Sequence, residues 1–179
     1  MDTRVHRTPP LESTLMLFVC RANLCRSPMA ERLARALGLA AQSAGTHAVP
    51  GRELPAHAAT VLRELGADPA GFRSRRVTPP LLTGAELVLT ASRAERAHCV
   101  TLAPATAART FTLRQYGRYL AALPPGPLTP AAVAGVRGRL QPGTPADDDL
   151  DDPFGGPIEG FRDCAETITA ILRLLASRL

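Results

Sequence analysis

Apolar positions along this chain fall into short blocks separated by polar turns. The first block, Leu15-Met16-Leu17-Phe18-Val19, is unbroken and reads as a strand buried on both faces, as in a parallel sheet. After the segment Cys20 to Ser27, the residues Met29, Leu33 and Leu37 recur at helical spacing. Ser27 is the expected N-cap, Pro28 the first helical residue and Gly38 the stop. The unit then repeats. Ala41 to Thr46 predicts a strand and Pro55 to Leu65 a helix. Ala85 to Thr90 predicts a strand and Arg93 to Ala103 a helix. Arg109 to Leu113 predicts a strand and Gln115 to Leu123 a helix. Phe161, Ala165, Ile168, Ile171, Leu172 and Leu175 mark a closing amphipathic helix. This alternation predicts an α/β fold, a parallel sheet wound on both faces. Leu123 to Asp149, rich in proline and glycine and then acidic, is expected to be a long surface loop. Residues 1–13, polar and broken by Pro9-Pro10, are expected to form a flexible tail, leaving 14–179 as a single domain.

Composition narrows the classes. The chain has 179 residues, 45% of them hydrophobic and 21% charged, which suits one globular core. No run approaches the roughly 20 apolar residues of a membrane-spanning helix. The net charge of +5 comes from 21 basic side chains, all arginine, and raises the question of nucleic acid. Five Phe and two Tyr are too few for a base-stacking platform, and the arginines are scattered, so no nucleic-acid partner is expected. Residues 1–13 contain no apolar core of a secretion signal, which favours a reducing, cytoplasmic setting and free thiols for Cys20, Cys25, Cys99 and Cys164. No second Cys/His pair stands at zinc-ligand spacing beside Cys20 and Cys25, so no metal is expected.

The loop between the first strand and helix carries the candidate chemistry, because open α/β sheets bind ligands there and the helix N-terminus favours an anion. In Cys20-Arg21-Ala22-Asn23-Leu24-Cys25-Arg26-Ser27, inward N–H groups and Arg26 would favour a Cys20 thiolate. Arg26 can grip two oxygens of a tetrahedral oxyanion, and Ser27 can hydrogen-bond the sulfur as it leaves. The competing reading is a structural cysteine beside a solvent-facing arginine. A leaving oxygen needs an acid, and the best candidate is Asp152, kept out of helical geometry by Pro153 with Phe154 as an apolar wall. Asp151 is its rival. Asp147, Asp148 and Asp149 read as solvated loop charge.

Together, Phe18 to Glu31, Ser43-Ala44-Gly45-Thr46 and Asp152-Pro153-Phe154 resemble the low-molecular-weight protein-tyrosine-phosphatase family over about Leu15 to Leu179. The resemblance implies a four-stranded parallel sheet of order 2-1-3-4, a phosphocysteine on Cys20, and no metal or other cofactor. It also implies that Asn23 is held in an unusual backbone conformation and tied to Ser43, and that Cys25 can trap oxidised Cys20 as a disulfide. The partner it implies is a phosphorylated protein or small phosphate ester, with no membrane, acted on by a monomer or weak dimer.

Several positions depart from the family pattern. Ala22 stands for a loop glycine and Arg21 for a smaller residue. His47-Ala48-Val49-Pro50 lacks the aromatic cleft wall, leaving Leu24, His47, Val49 and Phe154 as cleft candidates. Phe72 replaces a histidine, which puts one family hydrogen bond in doubt. Asp-Pro-Phe-Gly-Gly resembles the bacterial branch that includes protein-arginine phosphatases, which carry threonine where this chain has Leu24. An aliphatic residue there favours phosphotyrosine. Phosphoarginine or a small metabolite is the alternative. Arsenate reduction lacks its paired extra cysteines, with Cys99 and Cys164 reading as core residues. An inactive phospho-ligand binding module is the remaining reading.

Overall fold

A computed structural model describes residues 14–140 and 142–178. The expected tail, 1–13, lies outside the described residues. Four parallel strands, β1 (Met16–Cys20), β2 (Ala41–Gly45), β3 (Leu87–Thr90) and β4 (Thr110–Thr112), form one sheet in the order β2-β1-β3-β4. The helices are α1 (Arg26–Ala36), α2 (Ala56–Glu64), α3 (Pro79–Gly84), α4 (Arg93–Leu102), α5 (Leu113–Ala122), α6 (Pro130–Ala134), α7 (Pro145–Asp148) and α8 (Ile158–Ala176), with a 3-10 turn over Pro104–Arg109.

Central strand β1 shows why the blocks are unbroken apolar runs. Met16 and Phe18 enter the core shared with α1, α2, α5 and α8, whereas Leu17 and Val19 enter the core under α3 and α4. Both faces are covered, as a parallel sheet requires. All β1 residues are buried, so the strand ends at Cys20 inside the protein.

The expected strands and the helices α1, α2, α4 and α5 are present, with ends that shift by two residues or fewer, whereas α3 was not expected. Two expectations are corrected. Helix α1 begins at Arg26 with Cys25 as N-cap and no side-chain cap, so Ser27 lies inside the helix. Its hydroxyl is taken up by the loop instead. The stretch 123–149 is not a simple surface loop. Thr129 caps α6 by accepting from Ala132 N, Thr144 and Asp147 form a capping box on α7, and Val133 is fully buried.

Candidate active site

Cys20 closes β1 opposite Gly45 of β2. The chain between Cys20 and α1 folds back so tightly that a Cβ on Gly45 would come within 2.7 Å of both Arg21 O and Asn23 N. Only glycine fits at that strand end. Asn23 makes the reversal, at φ 53°, the single positive φ outside glycine among the described residues. A left-handed residue other than glycine costs roughly 1–2 kcal/mol, and here the side chain offsets it. Fully buried, Asn23 donates from Nδ2 to Ser27 Oγ (3.0 Å) and Ser43 Oγ (2.9 Å), and its Oδ1 accepts from Arg75 N (2.8 Å). Ser43 Oγ donates to Glu31 Oε2, and Arg35 pairs with the other carboxylate oxygen at 3.0 Å.

The reward of this strained turn is at the sulfur. Cys20 Sγ accepts from Asn23 N at 3.2 Å and lies 3.0 Å from Ser27 Oγ. Ser27 Oγ is also 3.2 Å from Ala44 O. A hydroxyl has one proton, so Ser27 gives it either to Ala44 or to the sulfur, and in the first case only the protonated thiol completes the contact. Cys25, by contrast, is buried in the main core; burial first, then the nearby Asp152 carboxylate, push its thiol up to about 12 against the opposing charge of Arg26. At neutral pH Cys25 is therefore a thiol and not a competing nucleophile.

Arg26, 7% exposed, reaches across to the distant acidic segment. Its Nη1 donates to Leu150 O at 3.2 Å and its Nη2 to Asp152 Oδ2 at 2.6 Å. Its Nε is buried with no partner among the described residues. A buried guanidinium N–H without an acceptor is costly, and an oxyanion beside Cys20 would supply one. Asp152 Oδ1 accepts from Phe154 N at 3.2 Å, a local turn across Pro153 that fixes the carboxylate.

The segment before Asp152 is tied down by residues that sequence reasoning set aside. Leu150 N donates to Ala91 O at the end of β3, Arg114 Nη1 to Asp149 O, and Arg93 N to Asp149 Oδ1. Asp148 is buried in a direct ion pair with Arg118. The reading of Asp148 as solvated charge is thus corrected: its partner lies 30 positions earlier on α5, and no local pattern announces it. Arg75 and Glu31 were also missed as supports of Asn23. Their only sequence signal was position within the quoted motif or next to Phe72.

The remaining candidates divide. Arg21 is exposed and Ala22 half-buried, whereas Leu24 is buried in the main core beside Cys25, not an open cleft wall. Val49 and Phe154, 63% and 58% exposed, are the two most exposed large apolar residues described. Phe154, Asp151 and Asp152 line a cavity of about 320 Å³ that also takes in Cys164. Among the described residues Asp151 makes no hydrogen bond or ion pair with Arg26. His47 N donates to Arg21 O, and the His47 ring lies 5.6 Å from that of His98. Phe72 is buried beneath Arg32, and Asn23 Oδ1 takes its hydrogen bond from the Arg75 backbone. Cys99 is fully buried in the second core.

Comparison with known proteins places the whole chain. The family described as low molecular weight phosphotyrosine protein phosphatase matches residues 15–122. This chain belongs to that family. It is a cysteine-dependent phosphatase, a hydrolase. The chain is 32% identical to the protein-arginine-phosphatase of Geobacillus stearothermophilus over 167 residues, covering 92% of this chain and 95% of that one. It is 31% identical to the low molecular weight protein-tyrosine-phosphatase Etp of Escherichia coli K12 over 108 residues, 59% of this chain and 73% of Etp. Among solved structures, the Geobacillus YwlE arginine phosphatase superposes with a TM-score of 0.72 at 31% identity, covering 91% of this chain and 90% of that one. The low molecular weight protein tyrosine phosphatase of T. tengcongensis gives 0.72 at 29% identity, over 93% and 100%. The phosphatase contains no helix, among its described residues, long and apolar enough to cross a membrane.

Proposed function

We propose that this phosphatase hydrolyses phosphotyrosine in proteins, or a comparable aryl phosphate, by two in-line displacements at Cys20. The observation that carries the reading is Arg26: it joins the cysteine loop to Asp152 at 2.6 Å and keeps its buried Nε free of any described partner. The Cys20 thiolate attacks phosphorus while Arg26 and the loop N–H groups hold the equatorial oxygens. Such preorganised donors supply the largest share of catalysis. As Arg26 turns to the phosphoryl oxygens it releases the Asp152 carboxylate, which takes up a proton from solvent and, as a neutral carboxyl, passes it to the leaving phenol oxygen. Asp152 then takes a proton from the water that attacks the phosphocysteine. The S–P bond breaks and Ser27 swings its proton from Ala44 O to the departing sulfur. Asn23 and Ser43 hold the loop shape, and Cys25, adjacent and protonated, serves as the resolving thiol if Cys20 is oxidised. On this reading the protein works in a reducing, cytoplasmic setting, where the thiols of Cys20, Cys25, Cys99 and Cys164 stay unpaired.

The substrate choice rests on Leu24: packed in the core beside Cys25, this aliphatic side chain brings no hydroxyl to the cysteine loop with which to orient attack on phosphoarginine. Phosphoarginine is the second reading, favoured by the relatives that match nearly the whole chain. The experiment compares turnover of a phosphotyrosine peptide and a phosphoarginine peptide by the wild-type protein and Leu24→Thr. The wild type should prefer phosphotyrosine, and Leu24→Thr should move the ratio toward phosphoarginine. A wild type that turns over phosphoarginine faster overturns the choice.

A further inference from the structure

Helix α1, edge strand β2 and the segment 71–75 enclose a cavity of about 350 Å³ that shares no lining residue with the cavity at Asp152. Four arginines, Arg32, Arg35, Arg73 and Arg75, line it against one lining carboxylate, Glu31. Glu31 is already engaged by Arg35 at 3.0 Å and by Ser43. Arg73 pairs with Glu53 at 2.9 Å, but both side chains are more than half exposed, and such pairs are weak.

These arginines are held in place. Arg75 donates from Nε to Ser43 O and from Nη2 to Gln42 Oε1, each at 2.8 Å. Arg35 Nε donates to Ala41 O at 2.9 Å, and the Arg32 guanidinium lies 5.8 Å from the centre of the buried Phe72 ring. Arg32 Nε is buried with no partner, and among the described residues no acceptor is recorded for Arg75 Nη1, Arg35 Nη1 or Arg32 Nη2. Like charges fixed at close quarters repel, and a planar fork with unused N–H groups is suited to a tetrahedral oxyanion.

We infer that this cavity is a second anion site, separate from the Cys20 loop, that takes a small phosphate-bearing molecule. A liquid water occupies about 30 Å³, so the space admits a phosphate with a short organic group as well as inorganic phosphate. The site abuts the catalytic loop, because Arg75 gives its backbone N–H to Asn23 Oδ1.

The test follows backbone amide shifts of the full-length protein during titration with inorganic phosphate, and separately with glycerol phosphate, at fixed ionic strength. The amides of Gly71, Phe72 and Arg73 should move on a saturation curve with its own dissociation constant, distinct from the curve of Arg21 to Arg26. The double substitution Arg32→Gln/Arg73→Gln removes charges that make no contact with Asn23 or Ser43, and it should weaken the 71–73 curve at least tenfold. Arg73→Gln alone should weaken it less. Arg26→Ala should do the reverse, removing the loop curve and leaving the other. Tighter binding of glycerol phosphate than of phosphate assigns an organic phosphate, and equal or weaker binding assigns inorganic phosphate. The inference fails if 71–73 do not move, if they follow the loop curve and vanish with Arg26→Ala, or if chloride moves them equally.

Discussion

The Cys20–Arg26 loop and the Asp148–Asp152 segment meet at Arg26, which pairs with Asp152 and donates to Leu150 O, yet they are held in place differently. The loop is bracketed by two regular elements, β1 and α1, and its shape depends on neighbours within a few residues: Asn23 on Ser27, and Cys20 on both. Its long-range supports, Ser43, Gly45 and Arg75, sit on β2 and the strand-like turn beside it. The acidic segment has no regular element to hold Asp152. It is hung from Ala91, Arg93, Arg114 and Arg118, each contributed by β3 to α5 far back in the chain. The comparison teaches that the half proposed to bind phosphate is a cradle tied by its own buried hydrogen bonds. The proton-transfer half is a strap whose position depends on polar anchors.

Predictions follow from removing each half in turn. The largest effect belongs to Asp152→Asn, which leaves the cradle intact but withdraws the proton. General acid–base groups contribute typically 10²–10⁴-fold, so turnover should fall by about that range. The loss should be smaller on p-nitrophenyl phosphate, whose leaving group needs no proton, than on phenyl phosphate. Steady-state kinetics on both esters check this, and equal losses would argue against Asp152 as the acid.

Next comes the cradle's hinge. Asn23→Ala removes three buried side-chain hydrogen bonds and keeps a Cβ in the left-handed region, whereas Asn23→Gly removes the bonds but relieves the backbone. Both should lower kcat by more than about tenfold, since an oxyanion cradle loses on the order of 10²–10³-fold per donor removed. Asn23→Ala should also be less stable than Asn23→Gly by about 1 kcal/mol in urea unfolding. Identical stabilities would mean the loop does not store strain at Asn23.

The smallest expected change in rate comes from the strap's far anchor. Asp148→Ala breaks a buried ion pair and should cost about 1–3 kcal/mol of stability. Its effect on turnover should be a few-fold and confined to kcat, because Asp152 is misplaced while the cradle still binds phosphate. Inhibition by inorganic phosphate, measured alongside, should be unchanged. A rise in the phosphate inhibition constant would show that strap and cradle are not separable.

The same contrast explains what could be read in the sequence. The sheet was legible because β1 is apolar at every position and a chain buried on both faces can hardly be anything else. The cradle was legible because its chemistry is local: a cysteine, an arginine and a serine between a strand and a helix start. Asp152 was legible through Pro153 and the family resemblance, not through any periodicity. The strap's anchors were not. Asp148 looks like its neighbours Asp147 and Asp149 in composition, and only the fold brings Arg118 to it. Helices α6 and α7 left a signal, Thr129-Pro130 and Thr144-Pro145, each a cap followed by proline at the first helical position. The density of proline and glycine around them masked it. Ser27 was misplaced as a cap because its hydroxyl serves Cys20 and Asn23, a tertiary demand that overrides local preference.

The central claim is that Cys20 itself carries the phosphoryl group between the two steps. Its most direct test is to mix Asp152→Asn with p-nitrophenyl phosphate, whose leaving group needs no proton, quench within the first turnovers at a pH that preserves thiophosphates, and map the phosphorylated peptide by mass spectrometry. The account predicts a phosphoryl group on the Cys20 peptide, absent when inorganic phosphate replaces substrate. A phosphoryl group on Cys25 or another residue, or steady turnover with no labelled cysteine at any time, would contradict it.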